Sequence, residues 1–313
     1  MPELPEVQTT VNGIKKYLVG LTITDVWTDY NSSFHAGKEN IKNPKYFKKF
    51  RREIVGEKII GAGRIGKNVL INLSRDKTIV VHMKMTGHLI FGKYIYNKKK
   101  NTWTATDKGA LRDDPFNRFV RLVFSLSPRQ ARGKLIQKSL ALSDMRKFAR
   151  VTLEETKNIA TSKHLEDHGP DALDSKLTFD KFWQLLSTKP TWPIKEILMN
   201  HEIISGIGNI YSDEMLWRAG IHPLEKIGKI SPQKARTLFG AMKKVLHLGM
   251  DFGGDSMSDY RNILGERGKF QLHHEAYHRI GEKCRKRGCG GTIRRIKIGG
   301  RSAHFCDKHQ KLL

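Results

Sequence analysis

Cysteine is scarce in this chain: among 313 residues there are three, Cys284, Cys289 and Cys306, all close to one end. An odd, clustered set with no export signal upstream argues against a disulfide framework and reads as metal ligands. Acidic residues are also in short supply. Asp and Glu number 31 against 57 Lys and Arg, a formal net charge of +26. Such an imbalance indicates a polyanionic partner, nucleic acid first and an anionic membrane surface second. Membrane is disfavoured, because no apolar run approaches the roughly 18 residues of a span and the mean hydropathy is −0.50. Met1-Pro2-Glu3 lacks the basic and apolar regions of a secretory signal, and the expectation is a cytoplasmic protein. No internal repeat or low-complexity tract is evident.

What is present begins with Met1-Pro2-Glu3-Leu4-Pro5-Glu6. Removal of Met1 would leave Pro2 as a terminal secondary amine beside a carboxylate. Such an amine attacks a sugar aldehyde carbon and yields an iminium, a permanent cation and hence an electron sink. An ordinary α-amino group titrates at about 7.7–8.0, so a useful fraction is neutral near pH 7. Residues 5–18 read as a helix, with Pro5 in its first turn and Val7, Val11, Ile14 and Leu18 on one face. That places Pro2 and Glu3 at the positive end of a helix, which disfavours a protonated amine and favours a carboxylate.

From residue 21 to about 150 the pattern becomes short β-rich runs: Leu21–Thr28, Lys58–Ile65, Val69–Leu73, Thr78–Met83 and Phe119–Phe124. Turn residues separate them, as in a β-sandwich or barrel. Two polar stretches, Tyr96–Pro115 and Ser127–Ser139, read as surface loops. Residues 161–178 read as an interdomain connection. A helical domain follows, in which Ser231-Pro232 starts a helix whose apolar face is Ala235, Leu238, Phe239, Met242, Val245 and Leu246.

Near the end, Cys284-x4-Cys289 is followed by Cys306-x2-His309, with Gly290-Gly291 and Gly299-Gly300 as turns. Two close pairs on either side of a hairpin-length insert are how a chain surrounds one tetrahedral Zn²⁺, a structural ion. Residues 283–313 hold ten Lys and Arg against the single acid Asp307, so the hairpin suits phosphate, with Arg301 at its turn as the leading contact. Ile204-Ser205-Gly206-Ile207-Gly208-Asn209-Ile210-Tyr211 places glycines before a helix, where backbone N–H groups converge on an anion and Asn209 adds a donor. Lys195 lies upstream. Arg64-Ile65-Gly66-Lys67-Asn68 sets a lysine at a turn between apolar strands. His82-Met83-Lys84-Met85-Thr86-Gly87 and Asp144-Met145-Arg146-Lys147-Phe148 are mixed clusters. Taken alone, Lys67 is more often a surface lysine, and Met85 and Phe148 are more often core, although Phe and Met can wedge between base steps.

Taken in order, these segments resemble the formamidopyrimidine-DNA glycosylase family over nearly the whole chain. The opening Pro2-Glu3-Leu4-Pro5-Glu6, Gly66-Lys67, His82 to Gly87, Asp144 to Phe148, Gly169-Pro170, Gly206 to Tyr211, Gly220-Ile221-His222-Pro223 and the terminal finger carry the likeness. The resemblance implies a multidomain α+β protein, with an N-terminal β-sandwich and flanking helix, a helix-two-turns-helix domain and a β-hairpin zinc finger. The corresponding divisions are a catalytic domain at 1–160, a linker at 161–178, the helical domain with a lesion-loop region at 179–272 and the finger at 273–313. It also implies a bifunctional DNA glycosylase and AP lyase, a monomer acting on damaged double-stranded DNA. Leu4 looks like the branch that removes 8-oxoguanine and formamidopyrimidines. In this reading Pro2 attacks C1′, Glu3 is the general acid-base, Glu6 partners the opened sugar, and Lys67 bridges a phosphate near the lesion. Met85, Arg146 and Phe148 fill the duplex gap, Lys195, Asn209 and Arg301 contact DNA, and Cys284, Cys289, Cys306 and His309 hold zinc.

The chain departs from the family pattern in several places. The first finger pair is Cys-x4-Cys rather than Cys-x2-Cys, and His309 stands where a fourth cysteine is usual. The family's histidine-bearing stretch is missing near Asn117, and Ser258 precedes Asp259-Tyr260 where an arginine is common. Two other readings are an enzyme for oxidised pyrimidines, as in the endonuclease VIII branch, and a damage-binding protein without catalysis.

Overall fold

The computed structural model describes residues 1–127, 129–131 and 134–312, with the backbone alone at 129–131 and 134–136. Helix α1 is Leu4–Tyr17, followed by β1 (Ile23–Thr28), α2 (Pro44–Ile54), β2 (Ile59–Ile65), β3 (Asn68–Leu73), β4 (Lys77–His82) and β5 (His88–Gly92). Next come β6 (Tyr94–Asn97), β7 (Thr102–Ala105), α3 (Ala110–Asp113), β8 (Val120–Leu126), β9 (Arg129–Ala131), β10 (Lys134–Ile136), β11 (Ser139–Ser143) and β12 (Arg150–Glu155). Helices α4 (Phe179–Ser187), α5 (Ile194–Met199), α6 (Asn209–Ala219) and α7 (Pro232–Asp251) precede the hairpin β13 (Ile293–Ile298) and β14 (Arg301–Cys306). Two compact units result: Met1–Glu166 with Phe252–Lys269, and Asp167–Asp251 with Phe270–Leu313.

In the first unit two four-stranded antiparallel sheets, ordered β1-β8-β11-β5 and β12-β4-β3-β2, form a sandwich. Alternation fixes which side chains meet. Leu122, Phe124 and Leu126 of β8 enter the same core as Val69, Ile71 and Leu73 of β3. The stripe Val7, Val11, Ile14 and Leu18 joins that core, and each such burial is worth about 1.5–3 kcal/mol. The α1 helix thus takes its orientation from the sandwich.

Both stretches read from sequence as surface loops are structured. In Tyr96–Pro115, β6 and β7 pair with Tyr94 opposite Ala105 and Asn97 opposite Thr102, and α3 follows. Buried Ala105 and Leu111 lie against Ile90, Val120, Val123 and Ala141, with Trp27, Tyr94 and Trp103 packed alongside. This insert covers the outer face of the β1-β8-β11-β5 sheet. Its few apolar residues are spread among polar ones, so no periodicity announced them. Within Ser127–Ser139, β9 and β10 pair antiparallel, and residues 128, 132 and 133 of that stretch lie outside the described residues.

Phe252–Lys269, grouped by sequence with the helical domain, packs in the first unit. Ile263 enters the sandwich core, and its carbonyl accepts from the Phe91 N–H at 2.7 Å. Asn117, where the family's histidine stretch is missing, accepts from His88 Nε2 at 3.0 Å through its Oδ1. Its Nδ2 donates to Ala110 O at 2.8 Å and Gly265 O at 2.9 Å. Buried Arg261 reaches Asp114 of the insert at 2.7 Å. Together these bonds hold the 252–269 segment against the insert.

In the second unit α7 buries Ala235, Leu238, Met242, Val245 and Leu246, as its periodicity predicts. Half-buried Phe239 meets Phe179 and Phe182 of α4. The terminal hairpin closes with Ile298 opposite Arg301, across Gly299 and Gly300 at φ 52° and 75°. A two-residue turn with both centres left-handed is one that glycine makes without strain. Among the described residues no helix is long and apolar enough to cross a membrane.

Leu111→Ala should lower stability by about 2–4 kcal/mol, the usual cost of emptying a buried leucine site. Urea unfolding checks this, and an unchanged midpoint would return the insert to the status of a free loop.

Candidate active site and metal centre

Pro2 and Glu3 are buried immediately before α1. Glu3 caps the helix, and Glu3 and Glu6 form a reciprocal capping box. The Glu3 N–H donates to Glu6 Oε2 at 2.7 Å. Glu6 Oε1 accepts from the Asp255 N–H at 2.7 Å, and Tyr260 Oη donates to the Glu6 carbonyl at 3.1 Å. Gly254 lets this happen: at φ +88° it approaches so closely that an added Cβ would lie 2.9 Å from Glu6 Cγ. Glu6 is therefore committed through both carboxylate oxygens to backbone donors. Nothing in the sequence ties Glu6 to Asp255 or Tyr260, which stand about 250 positions away.

Lys67 is half-buried at the β2–β3 turn, after Gly66. Met85, Arg146 and Phe148 do come together. The Arg146 guanidinium lies 4.6 Å from the Phe148 ring centroid, and its Nη1 is 3.4 Å from Met85 Sδ. Met85 and Phe148 are 44% and 47% exposed, and the Arg146 guanidinium touches both. Neither belongs to the core.

Asp144 builds the platform beneath them. It is fully buried and accepts from Thr86 Oγ1, from Tyr30 Oη at 3.3 Å and from the Ala149 N–H at 2.8 Å. Thr86 Oγ1 in turn accepts from the Arg146 N–H at 3.1 Å, so the two loops share one carboxylate. Burial, with the Asp144 charge, pushes the Tyr30 hydroxyl well above its ordinary range, keeping it a donor. Lys84 and Lys147 adopt left-handed φ of 55° and 56°, a conformation costing roughly 1 kcal/mol for such residues. The Lys147 carbonyl is held by Lys42 Nζ at 2.6 Å, and its ammonium by Asp29 at 3.1 Å.

In the second unit Asn209 opens α6 behind the N-cap Gly208, and its buried Oδ1 has no partner among the described residues. Arg301 is exposed beside the hairpin turn. Lys195 is otherwise placed than the sequence implied. It is fully buried, its Nζ donating to Asn209 O at 3.0 Å, Ser212 Oγ at 2.9 Å and Asp213 Oδ1 at 2.6 Å. The other Asp213 oxygen accepts from His304 N at 3.0 Å and meets His304 Nδ1 at 2.8 Å. Lys195 thus fastens α5 to α6, and Asp213 fastens α6 to β14. A buried ammonium in such a cage does not reach a phosphate in solvent.

The ligand atoms of Cys284, Cys289, Cys306 and His309 lie within 4.8 Å of one another. Cys284 Sγ is 3.5 Å from His309 Nδ1, and Cys289 Sγ is 3.5 Å from Cys306 Sγ and 3.6 Å from His309 Nδ1. These separations are too long for a disulfide and close to the ~3.5–3.8 Å edges of tetrahedral zinc coordination. Burial lowers the His309 pKa, favouring the neutral ring. His309 Nε2 donates to the Trp217 carbonyl at 3.0 Å, which leaves Nδ1 to the metal. The Trp217 indole N–H points at Cys284 Sγ, 3.3 Å away. The donor set fits one structural zinc that ties the finger to α6, with histidine in the fourth place.

Sandwich, helical unit and zinc-braced hairpin together define a base-excision DNA glycosylase. Profiles of the formamidopyrimidine-DNA glycosylase N-terminal domain, of its H2TH domain and of a zinc finger found in FPG and IleRS match residues 1–151, 168–261 and 281–308. The chain is 32% identical over 306 residues to the formamidopyrimidine-DNA glycosylase of Herpetosiphon aurantiacus, covering 98% of each. With that of Pelotomaculum thermopropionicum it shares 31% identity over 312 residues and the full length of both. A Lactococcus lactis Fpg complex with DNA containing an abasic site superposes with a TM-score of 0.79 at 26% identity, 99% of each chain being covered. A second complex of that enzyme, with N7-benzyl-Fapy-dG DNA, gives 0.78 at 27%, covering 99% of this chain and 100% of the other. This chain belongs to the formamidopyrimidine-DNA glycosylase family.

Lys195→Met should destabilise the protein by about 3–5 kcal/mol, because it strands Asp213 as a buried, half-compensated charge. Urea unfolding reads that loss; a weaker salt dependence of DNA binding with unchanged stability would restore Lys195 as a phosphate contact. For the finger, elemental analysis should find one zinc per chain, and His309→Ala should lower that content. Full occupancy in the variant would remove histidine from the ligand set.

Proposed function

We propose that this protein is a bifunctional DNA glycosylase and AP lyase that removes oxidised purines, 8-oxoguanine and formamidopyrimidines, from double-stranded DNA. The observation that carries the reading is the burial of Pro2 and Glu3 at the head of α1, where Glu6 and the 252–269 segment fix their backbone. Removal of Met1 turns Pro2 into a secondary amine at the positive end of that helix, which holds down its affinity for a proton. Its lone pair attacks C1′ as the bond to the base breaks, and the departing base takes the electron pair and a proton, with Glu3 as the general acid. The new ammonium then gives up its N–H proton and the C1′–O4′ bond breaks as O4′ takes a proton, which leaves an open-chain iminium that acidifies the adjacent C2′ hydrogen. Loss of that proton expels the 3′ phosphate, and a second elimination expels the 5′ phosphate, leaving a one-nucleotide gap.

Glu6 acts in this scheme as a positioning residue, since its oxygens already accept from two backbone N–H groups. Lys67 bridges a phosphate near the lesion. Met85 and Phe148 wedge into the space left by the extruded nucleotide, and Arg146 faces the orphaned base. Asn209 and Arg301 hold flanking phosphates. The abasic-site and Fapy-dG DNA named for the Lactococcus lactis complexes supports this substrate class. The enzyme works as a cytoplasmic monomer.

Borohydride trapping on a duplex with 8-oxoguanine opposite cytosine tests the scheme, with intact mass to verify loss of Met1. A covalent adduct is expected with the mature protein, and Glu3→Gln should bind the duplex while excising its base at least ~100-fold more slowly. Strand cutting by protein that retains Met1, or an absence of adduct, would sink the Pro2 mechanism. Preference for thymine glycol over 8-oxoguanine would move the substrate to oxidised pyrimidines.

A further inference from the structure

A cleft of about 620 Å³ opens in the first unit between residues 35–40, the start of β12 and residues 163–164. Lys38, Arg150 and Lys163 line it with His35 and His164, against one carboxylate, Glu39. Lys38 and Lys163 are exposed and have no carboxylate partner among the described residues. Lys38 Nζ lies 4.1 Å from the Phe34 ring centroid. Arg150 is half-buried, and its Nη1 donates to His164 Nδ1 at 3.0 Å. An arginine only donates, so His164 Nδ1 is the acceptor and its proton sits on Nε2, a further donor. Burial lowers the affinity of Arg150 and His164 for their protons, and the nearby carboxylates of Glu154 and Glu39 offset this only in part. A merely solvated basic face has no reason to be concave or to desolvate an arginine against a neutral ring.

The position of the cleft says what the anion is. Arg150 follows Phe148 by two residues and pairs with His82, the last residue of β4, which leads into the Met85 loop. Two residues span at most about 7 Å, while each strand of a duplex carries a phosphate about every 3.4 Å along its axis. Arg150 therefore lies within about two phosphate spacings of Phe148 along the chain. We propose that this cleft is an additional DNA-phosphate subsite, in which Lys38, Arg150 and Lys163 neutralise the backbone beside the gap-filling loop. The proposal rests on the reading of Met85, Arg146 and Phe148 as the duplex-facing surface. Its effect is on affinity for any duplex, damaged or not, because a phosphate contact carries no base information.

The test is the salt dependence of binding to two fluorescent duplexes of equal length, one undamaged and one with a tetrahydrofuran abasic analogue. Lys38→Ala/Lys163→Ala and, separately, Arg150→Met are compared with unmodified protein and with Lys98→Ala/Lys99→Ala in the exposed β6–β7 turn. The cleft variants should weaken binding to both duplexes several-fold and reduce the slope of log affinity against log salt by about 0.9 for each phosphate lost. An unchanged slope, or an equal fall in the Lys98/Lys99 variant, overturns the subsite. So does a result in which inorganic phosphate raises the thermal midpoint of unmodified protein alone while the duplex slopes stay equal, for the cleft would then hold free phosphate. Both lysines in the double variant are exposed, so its folding is not at risk, and thermal unfolding confirms that of Arg150→Met. Borohydride trapping with unmodified protein is scored apart: no adduct with an altered slope removes the enzyme reading and leaves the subsite, and the reverse removes the subsite alone.

Discussion

One carboxylate, that of Glu6, joins the two parts of the chain on which the proposed chemistry depends. It accepts from the Glu3 N–H on one side and from the Asp255 N–H on the other. A charge buried to 1% exposure is costly unless hydrogen-bonded, and here each oxygen has a backbone donor. Because those donors are main-chain groups, the bonds fix the path of the peptide itself. The residues before α1 and the 252–269 segment are thereby held as one assembly. The sandwich supports it through the α1 stripe, and the insert supports it through Arg261, Asp114 and Asn117.

The same device recurs under the exposed cluster. Asp144 is invisible from the surface, yet it sets the course of two loops through Thr86 and the Ala149 N–H. Left-handed lysines at 84 and 147 turn those loops, and the network offsets their cost. Met85 and Phe148 can then remain exposed without collapsing onto the sandwich, whose core is already full. In the second unit Asp213 plays the corresponding part, receiving Lys195 from one helix and His304 from the hairpin. The zinc donors and Trp217 add a second fastening of that hairpin to α6. Buried carboxylates with their donors, more than apolar contact, fix the positions of the exposed functional groups.

Much of this was legible in the residues. The α1 stripe, the β-rich runs, the α7 face and the Cys3His set rest on local spacing, and all are present. Tyr96–Pro115 and Ser127–Ser139 were misread because their strands are short and polar, and Trp103, Ala105 and Leu111 have no common period. Lys195 was misread for another reason. A lysine in a basic chain suggests phosphate, and nothing near it in sequence reveals Asp213 on the next helix. Nor does anything near Glu6 in the sequence reveal its bonds to Asp255 and Tyr260.

Sequence alone settled which chemical groups this protein carries: an early Pro-Glu pair, three thiolates with an imidazole, and a large excess of cations. It settled the sandwich and helices as well, since hydrophobic period and turn chemistry act over a few residues. Tertiary structure decided which of those groups are free to act. Lys195 was withdrawn into an ion pair, Glu6 into backbone bonds, and Met85, Arg146 and Phe148 were left outside. The reason is that burial and pairing depend on neighbours far along the chain, and only folding brings such neighbours within hydrogen-bonding distance.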